Sequence, residues 1–270
     1  FGQYKKLVNR YDEAVTGKHI LYGGLNGRTE ATGFGIVYFA ECMLKANGED
    51  MKGKNVVISG FGNVAWGTAL KLDELGAKVI AFSGPDGYIL DEAGVSGEKV
   101  AYMIELRNSG KNICQPYADK FPGSKFIAGK KPWEVKADLY IPCAMQNDIR
   151  LEDAKNIVAS GAKFVCEGAN MPTTNEALEY LMDNGIIVGP CKAANAGGVA
   201  CSCIEMGQNA GHTVFSPEQV HAQLKDIMVN IHDSAAAAAE EYGLGYNLVA
   251  GANIAGFLKV AGAMMMQGAV

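Results

Sequence analysis

The chain has 270 residues, is 49% hydrophobic and 20% charged, and carries a formal net charge of −5. This is globular composition with room for one large domain or two modest ones, and the acidic balance argues against nucleic acid as a partner. Seven cysteines, at 42, 114, 143, 166, 191, 201 and 203, include no CxxC pair, so metal and disulfide frameworks are both poor readings and a reducing cytoplasm is the natural compartment.

Residues 1–12 predict a helix, and Phe1-Gly2-Gln3-Tyr4 reads like the middle of one, as in a piece of a longer protein. Thr16-Gly17-Lys18 and residues 23–27 are loop chemistry. Ile36, Phe39, Ala40, Met43 and Leu44 recur at helical spacing, so a helix opens near Thr29 to Thr32 and ends before Asn47-Gly48. Asn55-Val56-Val57-Ile58-Ser59 is a β-branched run expected of a strand buried on both faces. A tight turn at 60–62, a helix over 63–75 and a second strand over 78–82 complete a right-handed parallel unit. Strand-like runs follow at 139–142, 164–166 and 186–188, with helices near 97–109, 150–158 and 174–183. From about 197 the chain reads as helical, with a break at Gly243-Leu244-Gly245 and a last helix over 253–267. The apolar stretch 254–266 is read as too short and too glycine-broken to span a bilayer, so no membrane partner is expected. The alternation predicts an α/β fold, Rossmann-like and doubly wound, with a mostly parallel sheet, helices on both faces and a helical C-terminal region.

Gly60-Phe61-Gly62-Asn63-Val64-Ala65 is a GxGxxA pattern between a strand and a helix. Its first glycine permits the tight turn, its second clears the way for a pyrophosphate, and its third small residue lets helix pack on strand. The helix N-terminus adds donors and partial positive charge. After the second strand the sequence reads Ser83-Gly84-Pro85-Asp86-Gly87. Asp86 would repel a 2′-phosphate and no Lys or Arg is in the loop, so NAD is favoured, with NADP not excluded because distant bases such as Lys120 remain. Equally, Pro85-Asp86-Gly87 is simply a good turn.

The surrounding motifs resemble the glutamate dehydrogenase family, closest to its bacterial, hexamer-forming type. They are Thr16-Gly17-Lys18, Gly23-Gly24, residues 28–35, Gly60 to Ala65, Pro142-Cys143-Ala144, Gln146-Asn147, Glu167-Gly168-Ala169-Asn170, residues 194–199 and residues 242–253. The resemblance covers essentially the whole chain. It implies reversible oxidative deamination of L-glutamate to 2-oxoglutarate and ammonia, with hydride moving from the substrate Cα to nicotinamide. It also implies a homohexamer, and a cleft between a substrate domain and a coenzyme domain. Residues 23–245 would be the coenzyme domain, with 1–22 and 246–270 packing on the substrate domain. The family's catalytic lysines and aspartate belong to that substrate domain, so none is expected here, and this chain alone would bind dinucleotide without turnover.

By the same resemblance Thr32 contacts the nicotinamide carboxamide, with a helix cap as the alternative. Arg28 lies near the cleft, or makes a surface ion pair. Asn63 reaches phosphate or ribose, or caps its helix. Asn170 sits beside the nicotinamide ribose, or forms a turn. Ala144, Gln146 and Asn147 flank the adenosine or ribose, or only pack. Asn195 lies near nicotinamide, and Ser202 hydrogen-bonds the side-chain carboxylate of glutamate or merely packs its helix. A leucine, valine or phenylalanine dehydrogenase and a non-catalytic NAD-binding module are the competing readings. Leu25, Met145 and Gly207 depart from common family residues. Hinges are expected near 17–25 and 243–247, where glycines cluster.

Overall fold

The β-branched run at 55–59 becomes β1 (Asn55–Ser59), the middle strand of a seven-stranded sheet in the computed structural model, which describes residues 1–268. Parallel to it run β2 (Lys78–Gly84) on one side and β5 (Leu139–Pro142), β6 (Phe164–Cys166) and β7 (Ile187–Gly189) on the other. Strands β3 (Gly87–Leu90) and β4 (Lys125–Ala128) extend the β2 edge antiparallel, giving the order β4-β3-β2-β1-β5-β6-β7. The doubly wound, mostly parallel sheet is thus as the alternation predicts, and β3 and β4 are additions to it. Pro85-Asp86 forms the hairpin turn between paired Gly84 and Gly87, so the turn reading of that segment holds. Strand β4 is an edge strand that is nowhere fully buried, and the buried β3 follows the Pro85-Asp86 turn so closely that its short run reads as part of the loop.

Side-chain alternation divides the core. Val56, Ile58, Leu139, Ile141, Phe164 and Cys166 face one hydrophobic cluster, shared with α2 (Ala31–Ala46), α3 (Asn63–Glu74), α9 (Gly197–Ala210) and α10 (Pro217–Glu241). Val57, Tyr140 and Val165 face the other, shared with Trp133, α6 (Leu151–Ala159) and α7 (Asn175–Asp183). Helices α4 (Glu98–Asn108), α5 (Gln115–Lys120) and α8 (Cys191–Ala194) complete the wrapping, and α1 (Gly2–Val8) is shorter than predicted.

The last helix, α11 (Leu248–Gln267), starts earlier than its spacing suggests because Asn247 accepts the Ala250 N–H at 3.0 Å and caps it. The helix is 20 residues long, longer than the apolar stretch 254–266, and by length and composition alone it is long and apolar enough to cross a membrane. It packs on α10 through Leu248 and Gly251, while Phe257, Val260 and Met264 are exposed, as are Tyr4 and Leu7.

Residues 16–24, which overlap the hinge expected near 17–25, are bonded to α9. Lys18 Nζ meets Glu205 Oε1 at 2.7 Å with both side chains out of solvent (1% and 0% exposed). Glu205 also accepts the Gly17 and Lys18 N–H groups at 2.9 and 3.3 Å. Gln208 donates to the Gly24 carbonyl at 3.2 Å and Asn209 to that of Gly23 at 2.9 Å. Removing one partner of a buried pair strands the other. Glu205→Ala is therefore expected to cost about 3–5 kcal/mol in urea unfolding, and a loss below about 1 kcal/mol would show that the pair is effectively solvated.

Candidate dinucleotide-binding site

Strand order reverses at β1, with β2 on one side and β5 on the other, and the crevice beyond the strand carboxyl ends at such a point is where ligands bind in open α/β sheets. Gly60 leaves β1 with φ 97°, and a Cβ there would stand 2.8 Å from Ala144 Cα. Glycine is therefore required twice, by conformation and by space. Ser59 fixes the same junction. Its Oγ accepts the N–H groups of Cys143 (3.1 Å) and Ala144 (3.3 Å) and donates to Asp148 Oδ2 (2.6 Å). Ser83 Oγ accepts the Gly60 N–H at 3.2 Å, so β1, β2 and β5 hold one another at the rim.

Gly62 differs from Gly60. Its backbone is ordinary (φ −86°, ψ −178°), and the position of a Cβ is open space with nothing within 4 Å. It precedes α3, whose first turn has no side-chain cap, so free N–H groups face that space. Ala65 is buried where helix meets sheet, and Phe61 is buried edge-on against Trp66. Asn63 is the first residue of α3 rather than its cap; its Oδ1 accepts from Arg107 Nε at 2.8 Å, and it stays exposed, lining a neighbouring cavity with Arg28, Thr32 and Val64.

Beyond the cradle lies a cleft of about 650 Å³ lined by Arg28, Thr32, Val64, Ala144, Gln146, Asn170, Asn195 and Ser202, with Cys143, Met145, Gly168, Ala169, Gly198 and Val199. The residues assigned to the nicotinamide end thus converge from α2, α3, α9 and the loops after β5 and β6. Asn195 Nδ2 donates to Asn170 Oδ1 (2.8 Å) and to the Gly168 carbonyl (3.2 Å). Ser202 Oγ accepts from Thr16 Oγ1 (3.2 Å) and Arg28 Nε (3.1 Å), so Ser202 does more than pack, and Arg28 is bound to it rather than to a surface carboxylate. Thr32 is not the cap of α2, since the capping position is Glu30. Asn147 stays out of the cleft lining. It adopts φ 55° and donates its N–H to the Met171 carbonyl at 2.9 Å, which makes it a turn residue.

A second cavity of about 380 Å³ lies across β1, at the adenosine end, lined by Gly60, Phe61, Ser83, Gly84, Pro85, Gly129, Lys130, Lys131, Ala144 and Asp148, with Gly87 and Met145. Asp86 does not line it. Its carboxylate accepts the Cys114 N–H (2.8 and 3.0 Å) and the Gln115 N–H (3.0 Å) at the start of α5, as befits the turn alternative for this segment. A side chain at 84 would crowd Cys114 Sγ (2.9 Å) and Asp86 Oδ1 (3.1 Å), so an acid does not fit there. Lys120 lies over the Tyr102 ring, 3.9 Å from its centroid, and does not line the cavity.

Sequence reasoning missed Ser59, Asp148, Lys130 and Lys131. The strand-end rule would have found Ser59, the last residue of β1. The two lysines follow β4, which the sequence hides. Of the departures from the family pattern, Leu25 is buried in the core and Met145 is exposed between the two cavities.

Burial pushes the Cys143 thiol up to about 12, although the Thr68 hydroxyl beside it pulls slightly the other way. Only the thiolate is nucleophilic, so Cys143 is expected to stay unmodified by a thiol-specific alkylating reagent near pH 8 while exposed Cys203 reacts. Mass-spectrometric mapping checks this, and comparable labelling at the two sites would contradict it.

The family model for glutamate/leucine/phenylalanine/valine dehydrogenases matches residues 23–268. The chain is 54% identical to an NAD-specific glutamate dehydrogenase of Clostridium symbiosum, over 99% of this chain and 60% of that protein. It is 45% identical to an NADP-specific glutamate dehydrogenase of Giardia intestinalis, over 100% of this chain and 61% of that protein. A solved glutamate dehydrogenase structure superimposes with a TM-score of 0.97 at 54% identity, covering all of this chain and 61% of that one. The Plasmodium falciparum enzyme gives 0.97 at 42% identity, covering 100% and 58%. The chain thus spans about 60% of the length of its relatives, and it belongs to the glutamate/leucine/phenylalanine/valine dehydrogenase family.

Proposed function

We propose that this chain is the coenzyme-binding part of an NAD-dependent glutamate dehydrogenase, with NADP not excluded. The observation that carries coenzyme binding is Gly62. It is a glycine that neither conformation nor packing requires, at the uncapped start of α3 and at the sheet's switch point. A bound pyrophosphate is the group that would need the space a side chain there would take. When bound, the nicotinamide supplies the hydride acceptor, and the chain's own residues position it: Asn170 and Asn195 are hydrogen-bonded to each other at the cleft, and Thr32 lines the same cleft.

Ser202 supports the glutamate reading over a branched-chain substrate. A hydroxyl has two acceptor positions and one proton. Thr16 and Arg28 occupy the acceptor positions, which leaves the proton to donate. The Arg28 guanidinium beside it adds positive charge, and together they suit a carboxylate oxygen. Catalytic lysine and aspartate are proposed to belong to the part of the relatives that this chain does not span, along with most contacts of a homohexamer. The partners of the whole enzyme would then be L-glutamate, 2-oxoglutarate and ammonia, in a reducing cytoplasm.

Gly62→Ala is the direct test. We expect its melting temperature to match that of the unsubstituted chain while NADH affinity, read by fluorescence titration, falls about tenfold or more. Gly60→Ala should instead lose about 1–3 kcal/mol of stability. Unchanged NADH binding by Gly62→Ala would remove the cradle assignment.

The 270-residue chain alone is expected to show no glutamate-dependent NAD reduction, and measurable turnover would overturn the division of labour.

A further inference from the structure

The adenosine-end cavity has a charge balance that the loop sequence does not suggest. Three of its lining residues carry charge: Lys130, Lys131 and Asp148. Lys131 Nζ pairs with Asp148 Oδ1 at 2.9 Å and donates to the Asp148 carbonyl at 2.5 Å, and Asp148 itself is buried and also held by Ser59. That pair is internally neutral and fixed. Lys130 is exposed and has no ion-pair partner among the described residues, so its ammonium is free to meet an anion at the cavity.

Its position follows from the backbone. The Gly129 N–H donates to the Asp86 carbonyl at 2.9 Å, and Gly87 pairs with Ala128. The segment 129–131 is therefore tied directly to the turn after β2, the turn beside which a bound dinucleotide places its adenosine ribose. The acid of that turn, Asp86, does not line the cavity; its carboxylate lies behind Gly84 and accepts the N–H groups of Cys114 and Gln115.

We infer that Lys130 is a specificity-determining residue that lets this site accept a nucleotide bearing a 2′-phosphate, so that the chain binds NADP as well as NAD. This rests on the dinucleotide reading of the site. An ammonium at an exposed rim contributes modestly, because solvent screens it. A dianionic phosphate places its acceptors within reach of a flexible lysine without needing the fork geometry of arginine.

The probes are 2′,5′-ADP and 5′-AMP, which differ only in the 2′-phosphate, titrated calorimetrically against the unsubstituted chain, Lys130→Gln and Lys130→Glu at low and moderate salt. The ratio of the two affinities is the readout. We expect the unsubstituted chain to favour 2′,5′-ADP by about three- to tenfold at low salt. Lys130→Gln should abolish that preference and Lys130→Glu should reverse it, and salt should narrow the ratio only where Lys130 is present. A ratio unmoved by either substitution, or a preference for 5′-AMP in the unsubstituted chain, overturns the role of Lys130 while leaving the dinucleotide site intact. If neither nucleotide nor NADH binds the unsubstituted chain, the dinucleotide reading fails and this inference with it.

Discussion

The site depends on one close approach. The backbone of Gly60 lies against the backbone of Ala144, at the point where strand order reverses. No other residue allows this, since the conformation is left-handed and a Cβ would meet backbone atoms that cannot yield. Ser59 reinforces it by taking both amide protons that begin the loop after β5. The result is a crevice with two compartments, one toward Arg28, Asn170, Asn195 and Ser202 and one toward Gly84, Lys130 and Lys131. A slackened junction would let both compartments drift relative to the α3 N-terminus between them.

The two glycines of the turn show how a single motif combines two constraints. Gly60 is fixed by the protein's own packing, whereas Gly62 has no structural need to be glycine. A residue kept small against empty space points outward to a ligand, and a residue kept small against backbone points inward to the fold. The Lys18–Glu205 pair adds a third constraint, holding Thr16 against Ser202. Segment 16–24 is therefore bonded to α9 at several points across its glycines.

Electrostatics at the adenosine end follows from the same economy of contacts. Asp86, the obvious acid after β2, is consumed as an acceptor for the start of α5. Its hydrogen bonds, more than its charge, set what the loop can do. The positive contribution comes from a different element, the turn after β4, brought alongside by antiparallel pairing.

The amino-acid sequence by itself determined the parallel core, the GxGxxA turn and the set of polar residues around the cleft. These are legible because buried parallel strands read as unbroken β-branched runs, and a tight turn before a helix has few workable chemistries. Only the tertiary structure decided which partners those residues take. Asn63 turned to Arg107, Asn147 became a turn, and Asp86 bonded to backbone, each to a group between 24 and 44 residues away. The strands β3 and β4, and with them Lys130, were hidden for a related reason. Strand β4 is a half-exposed edge with little apolar surface to announce it, and β3, though buried, gains its neighbours only once the hairpin at 84–87 has closed.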